Sequence, residues 1–214
     1  MIKKNKVTLV VTSLVMLIPI LVGLILWQKL PEQVPYHWNI QGEVDGWAGK
    51  SMAVFFMPLF MLAMHWICVL ATTADPKNKD YHLKTTSLVL WICPVLNLVL
   101  NTMVYAAALN YPVDIEIIMP LLLGITFILI GNLLPKCRQS YTMGIKLPWT
   151  LDNEENWNKT HRLSGKLWVM GGIVIMASAL IGSFWILIGV ITLMVAIPTV
   201  YSYCLYRKQM KSEE

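Results

Sequence analysis

Long apolar runs separated by short polar connections set the pattern of this chain. Segments 7–27, 51–74, 85–113 and 117–135 carry no charged residue. Each reaches or approaches the ~20 residues a helix needs to cross ~30 Å of hydrocarbon. A fifth uncharged run, 167–206, continues for forty residues, about 60 Å as one helix and twice what a crossing uses. It reads as two spans broken at 181–185, where Gly182 permits a turn and Trp185 suits the membrane interface. The pattern predicts an all-α polytopic membrane protein with six transmembrane helices.

Two connections are long enough to hold more than a turn. In "LPEQVPYHWNIQGEVDGWAGK" (30–50), Pro31 and Pro35 break a helix. Val34, Tyr36, Trp38 and Ile40 alternate with Pro35, His37 and Asn39, and this period of two predicts a short extended segment. Turns at Gly42, Gly46 and Gly49 follow. The segment reads as an ordered loop whose aromatics rest on the interface, with a ligand site as the alternative. His37, Glu43 and Asp45 lack a recognised metal-ligand spacing.

The other connection contains "IKLPWTLDNEENWNKTHR" (145–162). Pro148 ends any helix before it, and Asp152 with Glu155 fits an N-cap and its capping-box partner. From there a helix is expected, with Glu155 and Lys159 placed to pair. Trp157, His161, Ser164 and Trp168 share one face, while Glu154, Glu155, Asn158, Lys159 and Arg162 spread over the others. This predicts an amphipathic cytoplasmic helix running into span five, anchored by Trp149 and Trp157, with bases that meet anionic membrane lipid, and with a binding role for a cytoplasmic partner as the equal alternative.

Composition agrees: 57% of the residues are hydrophobic and 14% charged, against roughly a quarter charged in a soluble domain. Charge sets the orientation. With six spans, Lys3, Lys4, Lys6, Lys77, Lys79, Lys84, Lys136, Arg138, Lys146, Lys159, Arg162, Lys166, Arg207, Lys208 and Lys211 fall on the inside, and only Lys29 and Lys50 outside. Both termini are therefore expected in the cytoplasm of a multi-pass cell-membrane protein. The net charge of +5 follows from topology and calls for no nucleic acid. The basic start MIKKNK precedes an apolar run of about twenty-one residues with no small-x-small site, which reads as a retained span. Cys68, Cys93 and Cys204 lie in spans and Cys137 in the inner loop, so no disulfide is expected.

Polarity inside the membrane is sparse. Asn97, Asn101 and Tyr105 form one stripe expected to face a neighbouring helix, and His65 is an ionisable residue deep in a span. These residues motivate a transporter or channel-like alternative, although no Asp, Glu, Lys or Arg lies in mid-membrane to make a relay. HExxH, GxSxG, Walker and CxxC patterns are missing. An enzyme with His37 or His161 as base ranks last, and neither a cofactor nor a metal is expected.

At this point both connections resemble known signatures. The 30–50 segment resembles a bacterial domain of unknown function, with its LP…HW-N…G-E-x-D-G…K pattern. "GNLLPKCRQSYTMGIKLPWTLDNEENWNKTHRLSGKLW" resembles the SdpI family, immunity proteins against a sporulation-delaying toxin of the bacilli. The positions that match are Asn132, Pro135, Lys136, Gly144, Ile145, Pro148, Trp149, Thr150, Leu151, Trp157, Lys159, Thr160, His161 and Arg162. The family pattern has Arg where Lys146 stands and a small residue where Leu147 stands. A guanidinium fork and an ammonium are not equivalent toward a carboxylate or phosphate, which leaves the partner open.

The resemblance divides the chain into 1–75, with the outer loop 28–50, and 76–214, an SdpI-like region of four spans with the cytoplasmic loop 136–166. It implies a Gram-positive cell-membrane protein that confers resistance to a secreted, membrane-active peptide toxin. It also implies a receptor that holds a small winged-helix autorepressor at the membrane. Toxin-facing candidates are then Tyr36, His37, Trp38, Glu43, Asp45 and Trp47. Cytoplasmic partner candidates are Lys146, Pro148, Trp149, Thr150, Trp157, Lys159, Thr160, His161 and Arg162.

Overall fold

The apolar runs fold as helices almost throughout the computed structural model, which describes residues 2–77 and 83–213. Lys79, one of the basic residues assigned to the inside, lies outside the described residues. Helix α1 spans Lys6–Ile25, and a hairpin of β1 (Gln33–Trp38) and β2 (Val44–Gly49) follows. Helices α2 (Met57–Ala74), α3 (Leu83–Ala108), α4 (Ile115–Leu133), a short α5 (Pro148–Asp152), α6 (Glu154–Ser178) and α7 (Phe184–Glu213) complete the chain.

Among the described residues, five helical stretches are long and apolar enough to cross a membrane: Ile2–Ile25, Met52–Ala74, Thr86–Ala108, Ile115–Lys136 and Phe184–Lys211. Six were expected, and the difference lies in α6. Its first half carries Glu154, Glu155, Lys159, Arg162 and Lys166, which leaves an uncharged remainder at 167–178 of only about 18 Å. The expected break after it is present at 179–183, where Gly182 takes φ +65°, a left-handed conformation that suits glycine.

The chain forms two compact units, Met1–Thr73 with Thr86–Ile115, and Ala74–Thr85 with Glu116–Glu214. In the first, α1, α2 and α3 pack through Leu9, Val69 and Leu90. The stripe on α3 faces α1: Asn97 Nδ2 donates to Met16 O at 3.0 Å and Tyr105 Oη to Pro19 O at 3.0 Å. Asn101 Nδ2 donates back to Asn97, to O at 2.8 Å and Oδ1 at 3.0 Å. A carbonyl oxygen has two lone pairs, so Met16 O and Pro19 O can each accept a side-chain donor from α3. On α2, His65 is fully buried with Nε2 3.4 Å from Thr12 Oγ1, while its Nδ1 has no hydrogen-bond partner.

Residues 30–50 form more than the single extended segment expected. β1 pairs antiparallel with β2 in a register of Val34 with Ala48 and Trp38 with Val44, with irregularities around His37. β2 escaped notice because Gly46 and Gly49 read as turn residues. The turn is built by Asn39, whose Oδ1 accepts from Gln41 N (3.0 Å) and Glu43 N (2.9 Å). Leu30 and Val34 seat the hairpin on Ala53, Val54, Tyr105 and Ala108. Lys50 Nζ closes the base, donating to Glu32 Oε1 at 2.9 Å and lying 5.2 Å from the Trp27 ring centre.

In the second unit, α4 and α6 meet backbone to backbone. A Cβ added at Gly131 would lie 3.0 Å from Gly165 O and 2.9 Å from Val169 N, and one at Gly172 would lie 2.6 Å from Gly124 O. Such approach is a usual source of cohesion where lipid removes the hydrophobic drive between helices. On its other side α6 meets α7, with Gly171 against Met194 and Trp168 Nε1 donating to Met194 O at 3.2 Å.

Gly172→Leu should therefore lower stability by about 1–3 kcal/mol or more through overpacking, whereas Gly189→Ala, with nothing within 4 Å, should be neutral or stabilising. Thermal unfolding of both variants in detergent, followed by circular dichroism, checks this.

Candidate functional site

The segment between α4 and α6 is mostly irregular, so its backbone N–H and C=O groups need partners outside regular structure. Asp75, which directly follows α2, supplies the first. Its Oδ2 accepts from Ser140 Oγ (2.5 Å), Tyr141 N (2.8 Å), Thr142 N (3.1 Å) and Thr142 Oγ1 (3.0 Å). Its Oδ1 accepts from Lys77 N at 3.0 Å. Burial pushes the Asp75 carboxyl up, but the hydrogen bonds from Ser140, Thr142 and the Lys77 backbone outweigh it and hold the group below its ordinary value.

His161 supplies the second anchor. Ile145 N donates to its Nε2 at 2.9 Å, and Nδ1 lies 2.8 Å from Trp157 O, one helical turn earlier. An acceptor Nε2 carries no proton, so the proton sits on Nδ1 and the ring is neutral. Burial lowers its pKa to about 4. The Trp157 and His161 rings stack at 4.0 Å and 22°, and Trp157 Nε1 donates to Cys137 O at 2.8 Å. Gly144, at φ +107°, lies directly against both rings, and a Cβ there would collide with them.

Beyond Gly144 the chain closes on itself. Pro148 opens α5, the position where a missing N–H costs nothing, rather than merely ending a helix before it. Thr150 Oγ1 accepts from Leu147 N at 2.9 Å and lies 2.8 Å from Ile145 O, and Gln139 Nε2 donates to Thr150 O at 2.8 Å. Lys77 Nζ donates to Leu151 O and stands 5.1 Å from the Tyr141 ring centre. The expected N-cap at Asp152 is replaced: Asn153 caps α6, accepting from Asn156 N at 2.8 Å, because Asp152 is consumed as the last residue of α5. Glu155 and Lys159 pair as expected, at 2.6 Å.

This geometry sorts the candidates. Thr150, Trp157, Thr160 and His161 are 0–1% exposed, while Lys146, Pro148, Lys159 and Arg162 are exposed. Trp157 thus anchors the loop to α6 instead of anchoring the helix to lipid. Trp149 is half-buried on α7, donating to Ser202 Oγ at 3.0 Å and stacking on Tyr206. Asp75, Ser140, Thr142 and Gln139 escaped the sequence reading, since no local spacing links an acid at position 75 to a loop some sixty-five residues away.

The second group of candidates lies on the hairpin. Tyr36, His37, Glu43, Asp45 and Trp47 are exposed and Trp38 is half-buried. His37 Nδ1 lies 2.5 Å from Asp45 Oδ1, and Asn39 Nδ2 donates to Glu43 Oε2 at 3.3 Å. His65, Asn97 and Asn101 are buried in the helices of the first unit.

Comparison with known proteins places both signatures. Residues 14–62 match a domain of unknown function (DUF1648), and residues 136–202 match the SdpI/YfhL protein family. The immunity protein SdpI of Bacillus subtilis (strain 168) is 30% identical over 210 residues, 96% of this chain and 97% of the relative. The chain belongs to the SdpI family. No solved structure matches it. The SdpI match takes in α5, α6 and the Trp157–His161 anchor, and the other match takes in the whole hairpin; Asp75 falls in neither.

The neutral His161 makes this region acid-sensitive. An unfolded chain binds the proton near pH 6.5, the folded one only near 4. The stabilisation is complete above 6.5 and is lost as pH falls toward 4, by up to roughly 3 kcal/mol. Asp75, with its lowered pKa, stays charged across that interval. Melting temperature should fall between pH 7.5 and 5.0 in the parent protein and change less in His161→Gln, which keeps an acceptor for Ile145 N; equal shifts contradict the assignment.

Proposed function

We propose that this membrane protein confers immunity on its cell against a secreted, membrane-active peptide toxin, and that its cytoplasmic loop holds a small winged-helix repressor while toxin is bound. The observation that carries the reading is the 30% identity with immunity protein SdpI across nearly the full length of both chains. The protein acts by binding and not by catalysis.

Orientation completes the reading. α6, continued by the turn to 183, serves as the sixth crossing, and both termini lie in the cytoplasm with fifteen of the seventeen Lys and Arg residues. Its charged first half then sits at the cytoplasmic interface, where Arg162 and Lys166 reach headgroups. The hairpin lies outside, presenting Tyr36 and Trp47 as aromatic contacts beside the carboxylates of Glu43 and Asp45. Such a surface suits an apolar or cationic peptide arriving at the membrane. The bonds of Asn97 and Asn101 to the first unit's own helices support immunity over a transport pathway.

Sensitive cells expressing the parent protein should survive the sporulation-delaying toxin. Tyr36→Ala/Trp47→Ala should lose at least tenfold in survival at equal membrane levels. Lys146→Ala/Arg162→Ala should retain protection but release a fluorescent repressor from the membrane. Equal killing with and without the parent protein sinks the reading.

A further inference from the structure

Trp157 and His161 offer a specific set of groups: one N–H donor at Trp157 Nε1, one acceptor at His161 Nε2, and the stacked rings between them. Their partners are the Cys137 carbonyl and the Ile145 N–H, with the backbone of Gly144 on the rings. Every partner here is main chain. A site that binds a carbonyl, an N–H and a side-chain-free stretch of backbone recognises main chain, and the loop, bent at 141–144 so that Cys137 and Ile145 both reach the ring pair, is the peptide it holds.

What holds the loop there lies elsewhere in the chain. Asp75 fastens Ser140, Tyr141 and Thr142, just ahead of Gly144 and Ile145. Its grip is concentrated in one carboxylate, so loss of one charge frees two backbone N–H groups and two hydroxyls together. Asp75 also follows α2 without a break, and α2 is entered from β2 through a π-helical turn at Met52–Phe56. π-turns hold an extra residue in a helix and are common at functional sites.

We propose that the loop 137–145 is a built-in occupant of a peptide-binding site on Trp157 and His161, retained by Asp75, and that a similarly bent segment of a cytoplasmic protein takes its place when Asp75 lets go. This rests on the immunity and signalling reading for its biological occasion. It supplies what that reading lacks, because Trp157, Thr160 and His161 are buried as they stand and unavailable to any partner. Asp75 is a positioning residue that acts through the loop and touches no ligand itself.

The native thiol of Cys137, half-buried in the loop, reports on release. In full-length protein with Cys68, Cys93 and Cys204 replaced by Ala, Asp75→Asn should raise the rate of Cys137 alkylation by a maleimide at least tenfold. Ser140→Ala/Thr142→Val should do the same from the other side of the clasp, and Asp75→Glu should restore part of the protection. A fluorescent peptide copying residues 137–147 should bind Asp75→Asn at least tenfold more tightly than the parent, and adding Trp157→Ala should abolish that binding. Alkylation within twofold of the parent, equal peptide binding by parent and variant, or a gain in alkylation that appears only with a collapsed melting temperature would each overturn the proposal. None of these readouts involves toxin, so a failed survival assay and a failed release assay are separate results.

Discussion

An irregular segment lying beside apolar helices has to find a partner for every backbone group that turns away from water, and the rest of the second unit is arranged around that requirement. Two side chains one helical turn apart meet part of it, and Asp75 and Thr150 take further backbone groups. His161 takes the Ile145 N–H, Trp157 gives its indole N–H to Cys137 O, and the stacked rings fill the space that Gly144 leaves. Without a neutral His161, the Ile145 amide would face a donor, and the desolvation cost of an unpaired buried N–H is about 1–3 kcal/mol.

That pair also determines what α6 must be. The helix presents Asn156, Trp157, Thr160, His161 and Ser164 inward along its first half, where an apolar helix would carry leucines. Asn156 reaches Ser202 O on α7, and Thr160 reaches Asn156, so the polar face is satisfied within the unit. The second half must then pack without bulk, and Gly165, Gly171 and Gly172 let α4 and α7 close on it. One helix thus fastens a loop at its charged end and is itself fastened by glycine contacts at its apolar end.

The two-fold division of labour was partly visible in the residue pattern. Apolar run lengths placed the helices, and the glycine at 182 marked the last turn. Spacing along α6 put Trp157, His161 and Ser164 on one face, which is the buried face. Periodicity does not say what a face meets, however, and Trp157 meets a loop instead of lipid. The hairpin's first strand showed in its alternation, while its glycine-rich partner strand did not. Asp75 was illegible for a different reason: a carboxylate that accepts from Ser140, Tyr141 and Thr142 is defined by the fold, and an acid after a helix end has no such meaning in one dimension. The expected sixth crossing is not among the described helices long and apolar enough to span, since the charges of α6 begin in its first turn and only its second half is apolar.

The protonation state of His161 bears most directly on this account, because the same nitrogen that binds the loop must be bare. Nitrogen-15 spectra of histidine-labelled protein in lipid bilayers near pH 6 read it without perturbing the site. The account predicts one His resonance pair with Nδ1 protonated and Nε2 an unprotonated hydrogen-bond acceptor, lost in His161→Gln. An imidazolium at position 161 at that pH, or a ring protonated on Nε2, would contradict it.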